Sequence, residues 1–360
     1  MAKPMVILIS AIMIFLVLSS CNNNGLTPLI DSRDYVWTLD TLVNTLLITS
    51  IWGSSPVDVW AVSPVMNNQL YGLWHYDGNK WIPWLKYHPQ VWGVYGEALF
   101  GFSSNDVWIG GQSISDPGAG LCHWDGTKWG RYFNYNPEPD SFGVVSVHQI
   151  WGRRPDDVYA IGRMLYRPKL ARNGTSRGSL LHYDGSTWKE VLRTDPGYQY
   201  HFYELSGTQK NVYLTEYREN TENRDSSLAT LYELSGNHLV KIYSSTLGNG
   251  LLSTAVIDDK LYLCVGMANA KIYLYSGGKF IQQFSVNDQN FEGGLWGRNE
   301  RDIFLHMDNG IAHFNGSDIK YLYKFSGMVS GAALFEREVF FSVYDYASNR
   351  DMILHGKPRQ

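Results

Sequence analysis

Cysteine is scarce: three residues in 360, at positions 21, 122 and 264. None forms a Cys-x-x-Cys pair, which removes thiolate zinc knuckles and dithiol redox motifs from consideration. Charge is also sparse. Charged residues make up 18% of the chain and the net charge is −4, so no basic surface calls for nucleic acid as a partner. No Gly-rich phosphate loop and no nucleophile elbow occurs. A long apolar run appears once, from Met5 to Leu18, broken only by Ser10, and it is shorter than the roughly 20 residues a membrane span needs. What the chain has in plenty is aromatics, with 13 Trp, 24 Tyr and 15 Phe, together with 35 Gly. That combination suits short, tightly turned strands packed through large rings.

The apolar run has the length of a signal-peptide core, and Lys3 supplies a positive charge ahead of it. It ends in Leu18-Ser19-Ser20-Cys21, which resembles the lipobox of bacterial lipoproteins. The resemblance implies cleavage before Cys21 and lipidation of that residue. Residues 1–21 are therefore expected to be a lipoprotein signal peptide and 22–32 a flexible tether, reading "NNNGLTP" at its start. Residues 33–360 are expected to form a single domain in the bacterial cell envelope. Asn22, rather than Asp, next to Cys21 points to the outer membrane. Cys122 and Cys264 lie in apolar strand-like text and read as buried free thiols.

The phrase "IWGSSPVDVWAV" (51–62) returns as "IWGRRPDDVYAI" (150–161). Its acid-apolar-aromatic anchor occurs at Asp58, Asp106 and Asp157, with weaker copies at Asn211, Lys260, Asp302 and Glu338. The mean spacing is about 47 residues, the range of propeller blades. A second anchor follows each: His75-Tyr76-Asp77-Gly78, His123-Trp124-Asp125-Gly126, His182-Tyr183-Asp184-Gly185, and degenerate forms at Glu233, Leu274 and His313. Asp-Gly between two apolar runs is a hairpin signal, and each unit holds four strand candidates. An all-β, seven-bladed β-propeller with four antiparallel strands per blade follows. The last unit lacks a fourth strand, and "RDYVWTLDT" (33–41) lacks a partner. The N-terminal strand is expected to close the last blade; the alternative is six blades plus a C-terminal hairpin.

These motifs resemble those of bacterial secreted and lipid-anchored β-propellers whose repeat reads Ile-Trp-Gly, Asp-Val-Trp-Ala-Val-Gly, then His-Tyr-Asp-Gly and Trp. The likeness spans nearly all of 33–360 and implies fold and location more than chemistry. The plan is kelch-like, but the kelch Gly-Gly appears only at Gly110-Gly111. "HYDGSTW" (182–188) is similar to a sialidase Asp-box, in which one residue separates Asp from Gly; here Asp184 and Gly185 are adjacent.

The acid-to-His spacing varies from 17 residues (58 to 75) to 25 (157 to 182) and 11 (302 to 313). The connections between second and third strands thus absorb insertions, and they share a face with the crossovers between blades. That face is expected to carry the site. Candidates are the aromatic crossover residues Tyr87, Trp92, Tyr95, Tyr135, Phe142, Tyr198, Tyr200 and His201, and the basic loop residues Arg163, Arg167, Lys169 and Arg172. Aromatics beside bidentate guanidinium groups suit a protein or glycan partner. The recurrent His residues read as hydrogen-bonded structural groups, since equivalent positions on different blades cannot converge on one ion. Asp58, Asp106 and Asp157 are expected to fix their turns through backbone bonds. First-strand residues Glu97, His148, Gln149, His201, Glu204 and Glu292 could line an axial channel. The reading is a non-catalytic, lipid-anchored binding module that touches the membrane through its anchor alone, with no catalytic residue, metal or cofactor assigned. The alternative is a glycosidase or lyase using axial carboxylates.

Overall fold

The computed structural model describes residues 33–43, 45, 47–64, 72–87, 94–113, 118–132, 141–168, 175–195, 200–220, 222–246 and 252–359. Strands β1 to β28 occupy most of them. Four strands at a time form antiparallel blades: β2–β5 (50–83), β6–β9 (94–131), β10–β13 (141–193), β14–β17 (200–246), β18–β21 (252–286) and β22–β25 (291–324). The seventh blade contains β26 (Gly327–Leu334), β27 (Val339–Asp345), β28 (Arg350–Pro358) and, as its outer strand, β1 (Tyr35–Thr41). The register runs from Tyr35↔Pro358 to Thr41↔Met352. The chain is a seven-bladed β-propeller closed by its N-terminal strand.

Burial explains the strand sequences. The second strand of each blade is covered on both faces, so Val59-Trp60-Ala61-Val62 and Val339-Phe340-Phe341-Ser342-Val343 are buried at every position. Outer strands such as Trp188–Arg193 have no fully buried position. Among the described residues the apolar core divides into seven clusters, each joining two neighbouring blades. One of them joins the last blade to the first through Phe340, Ile353, Ile51 and Val59. A six-bladed ring would leave that cluster without a second wall.

The glycine of the repeated Ile-Trp-Gly has a packing reason. A Cβ on Gly101 would meet the Trp52 ring at 2.7 Å, one on Gly152 the Phe102 ring at 2.7 Å, and one on Gly207 the Trp151 ring at 2.3 Å. At these three positions one blade pushes a ring against the next blade's backbone, and Phe335 does so on Gly53 across the closure; at Gly297 the aliphatic Ile257 takes the ring's place. Cys122 and Cys264 are free and buried, as expected, and burial pushes the Cys264 thiol up to about 12.

Two departures from the sequence reading stand out. The first blade's outer strand is only Trp81–Pro83, after which Trp84–Tyr87 turns into a short helix; Pro83 cannot donate to a ladder and sits at its edge. The basic "loop" of the third blade is largely strand. β10 (Ser141–Arg154) and β11 (Asp157–Pro168) pair out to Ser141↔Pro168, and β12 (Thr175–Tyr183) follows β11 out to Tyr166↔Thr175. This extension also pairs parallel with the second blade at Val144↔Gly118 and Val145↔Ala119, fusing two blades into one sheet. The alternation of exposed Arg163 with buried Gly162 and Met164 is the strand period the loop reading overlooked.

Candidate functional site

The ring has two unlike faces. The turns joining first to second strands and third to fourth strands lie together: a Cβ on Gly78 would touch Val57 at 2.8 Å, and one on Gly126 would touch Asn105 at 2.8 Å. Four blades build the outer of these turns identically. Oδ1 of Asp77, Asp125, Asp184 or Asn315 accepts two backbone N–H bonds of 2.8–3.0 Å, followed by a glycine at φ +88 or +95. The Thr127 hydroxyl, joined by these backbone donors, holds the Asp125 carboxyl down at about 2. This turn face is regular and its polar groups are occupied.

The second anchor behaves the same way. Register sets His75 opposite Trp60, His123 opposite Trp108, His182 opposite Tyr159, His313 opposite Phe304 and His355 opposite Phe340. Each imidazole lies against its aromatic neighbour, with centroids 3.7–4.8 Å apart. Each Nε2 bonds the anchor acid of its own blade at 2.6–2.8 Å: Asp58, Asp106, Asp157, Asp302 and Glu338. The histidines are structural, as expected. The acids are a correction: their carboxylates bond the imidazole on the neighbouring strand instead of their turns' backbone N–H groups, and Asp58 adds a bond from the Ser54 hydroxyl of its own turn. A buried ring nitrogen needs a partner, and the acid is the group in reach. In two blades the arginine after the Gly also joins, Arg153 on Asp157 and Arg298 on Asp302. Arg298 extends to Phe335 O, Glu336 O and Tyr35 Oη, tying the sixth blade to the ring closure.

The axis is also wired. Ser50 Oγ accepts from Leu99 N at 3.1 Å, Ser146 Oγ donates to Glu97 at 3.0 Å, and Leu205 N donates to Gln149 at 2.5 Å. Glu204 Oε2 accepts from Thr254 N and Oγ1 at 2.7 and 2.9 Å, Ser253 Oγ donates to Gly293 O, and Val329 N donates to His306 Nε2. Each bond joins one blade to the next. Burial raises Glu97, pushes Glu204 up to about 7, and lowers His148 and His306 to about 4. Glu97 and Glu204 stand two blades apart, and neither contributes to the other's shift.

The opposite face carries the connections between second and third strands and between blades. Tyr87, in the first crossover between blades, is 60% exposed at the end of the short helix, beside a groove of ≈500 Å³ that runs along the first blade's outer edge and is lined by Lys80 of the turn and by Trp81, Ile82 and Pro83. Arg163 projects from the third-blade extension and donates to Ser176 Oγ at 3.3 Å; burial, and then the nearby Arg163 charge, lower the pKa of His201. Blades three and four thus bring these two candidates together, with the Tyr217 ring 5.7 Å from the imidazole. Tyr95 is half-buried inside β6 (Val94–Ser103), a correction to its assignment to a crossover; strand pairing with Gln112 claims it. Phe142, Arg167 and Tyr200 lie in strands, and their side chains are not described. Cys21, Trp92, Tyr135, Lys169, Arg172 and Tyr198 lie outside the described residues.

Sequence reasoning missed a cleft of ≈660 Å³ where β1 returns to β2, lined among others by Thr45, Leu47, Tyr344, Tyr346, Arg350 and Asp351. Leu47 has φ 103, a conformation that costs a non-glycine residue roughly 1–3 kcal/mol. Buried Asp351 holds it there by accepting Leu47 N and Ile48 N at 2.9 and 3.0 Å. The available signal was "YDY" (344–346), aromatics in a second-to-third connection too short to attract notice.

No family model matches the chain, and no curated protein matches it. Solved structures do. A crystal structure of the extracellular domain of a one-component system from B. thetaiotaomicron superposes with TM-score 0.56 at 11% identity, over 89% of this chain and 40% of that one. The WD40 propeller domain of Doa1 gives 0.51 at 10% identity, covering 89% and 98%. Acylaminoacyl peptidase from Pyrococcus horikoshii gives 0.56 at 10%, covering 89% and 54%. The chain therefore spans about half or less of two of these proteins. It shares their propeller fold.

Proposed function

We propose that this chain is a lipid-anchored propeller of the bacterial cell envelope that binds a protein or glycan partner on its loop face and performs no chemistry there. The observation that carries the reading is the contrast between the faces. The repeat spends its Asp, His and Arg side chains on its own turns and strands, while the loop face presents Tyr87, Arg163, Tyr346 and a cleft. The fold neighbours include an extracellular domain and a WD40 propeller, which fit a binding module. A hydrolase at the axis needs a second carboxylate within reach of the first, whereas Glu97 and Glu204 each bond the next blade. The lipobox-like Leu18-Ser19-Ser20-Cys21 supports the anchor.

Two measurements test it. Cys21→Ser should shift the protein from membrane to soluble fractions; retention in the membrane contradicts the anchor. Envelope pull-down and glycan-array screening should yield a ligand whose binding falls at least tenfold in Tyr87→Ala/Arg163→Ala. Retained hydrolysis products with no stable complex would favour an enzyme instead.

A further inference from the structure

The cleft at the ring closure has the make-up of a ligand site. Its volume, ≈660 Å³, lies within the roughly 300–1,000 Å³ of small-molecule pockets. One wall is formed by Leu42, Val43, Thr45 and Leu47, locked from behind by the bonds from Leu47 N and Ile48 N to Asp351. The other wall is the turn from β27 to β28, itself locked: Tyr344 Oη donates to Asn349 Oδ1, and Ser348 N donates to Asp345 Oδ2 at 2.8 Å. Both walls are therefore set before any ligand arrives, and the unusual backbone at Leu47 is maintained by a carboxylate 304 residues away in sequence. Such strain gathers where a site is preorganised.

The groups left over define the ligand. Tyr346 is 59% exposed, and its ring meets that of Tyr344 at 69° with centroids 6.0 Å apart. Exposed tyrosine faces pack on the C–H faces of sugar rings, and a Tyr hydroxyl reaches their polar rims. Arg350 is exposed and makes no ion pair among the described residues. Its planar fork matches a carboxylate bidentately. The Thr41 hydroxyl and the Asn349 Nδ2 group complete a set suited to sugar hydroxyls, while Thr45 Oγ1 donates to Leu42 O and stiffens the wall. An extended peptide would need a strand edge, and β28 beside the cleft is paired on both sides, with β27 through Asp345↔Arg350 and with β1 through Thr41↔Met352.

We propose that this cleft binds the carboxylate-bearing end of an acidic saccharide. The proposal rests on the reading of the loop face as a binding face and names its ligand class. The test uses the full chain with Cys21→Ser, an array of uronate-containing and neutral oligosaccharides, and titration with trigalacturonate and its methyl ester. The expected result is binding confined to uronate-containing spots, with Arg350→Ala and Tyr346→Ala each weakening trigalacturonate at least tenfold and the methyl ester binding as poorly as the variants do. Melting should be the same in all three proteins. Absence of any uronate binding overturns the proposal, as does binding unchanged in both variants. Uronate binding lost in Arg163→Ala but kept in Arg350→Ala overturns the cleft and leaves the binding module standing. Retention of neither saccharide nor envelope protein overturns both.

Discussion

The turn face and the loop face are made from one repeat, yet they evolve different chemistry. On the turn face every blade solves the same problem, how to end a tight hairpin, and four of them use the same acceptor and the same left-handed glycine. On the loop face the described residues of three blades take three different forms. One ends in a helical turn at Trp84–Tyr87, one grows a three-stranded extension in β10, β11 (to Pro168) and β12 (from Thr175), and one folds a strained crossover over a buried Asp. A repeat constrains what packs between blades and leaves free what does not. The difference separates groups that hold the ring from groups that the ring leaves free to vary.

That separation can be broken experimentally. Deleting residues 33–41 should have the largest effect, because it strips β28 of its partner and removes Tyr35 and Trp37 from the cluster between the last two blades. Loss of a cooperative melt is expected; an unchanged transition would show that the ring closes without β1. Trp108→Ala comes next. The ring is buried against His123, Tyr183 and Trp188, and its removal should cost about 3–5 kcal/mol in urea unfolding while ligand affinity of the folded protein stays the same. Asp351→Ala should cost about 2 kcal/mol by leaving two backbone N–H groups unpaired, and it alone of the core changes should also weaken loop-face binding.

Glu204→Gln should act through pH. The folded carboxyl sits at about 7 against an ordinary 4.5 because burial disfavours its charge. An acid raised on folding contributes stability that is lost as pH rises from about 4.5 to about 7. The variant has no such loss, so its stability relative to the parent should climb across that window in urea melts at pH 4.5, 6 and 8. A difference independent of pH contradicts the assignment. The smallest effect on stability belongs to Tyr87→Ala, within about 0.5 kcal/mol, with ligand binding reduced.

The ring itself was readable because its determinants are local and repeated. Acid-apolar-aromatic anchors, Asp-Gly turns and an unpaired strand at each end of the domain dictate the blade count and the closure. The site was less readable. His75 and Asp58 are 17 residues apart in sequence, and only cross-strand register brings them together, which is why the acids read as turn formers. Arg163 was singled out, but its neighbour His201 comes from the next blade. The cleft depends on Leu47 meeting Asp351 across the whole chain, a contact no local pattern encodes.

The most direct test of the two-face account exploits the buried state of Cys122 and Cys264. In the Cys21→Ser background, a single cysteine placed at Thr127→Cys on the turn face or Tyr346→Cys on the loop face can carry a maleimide-linked polyethylene glycol chain. Envelope pull-down should then succeed with the turn-face conjugate and fail with the loop-face conjugate. Capture blocked by the chain at position 127 and preserved with the chain at position 346 would contradict the account.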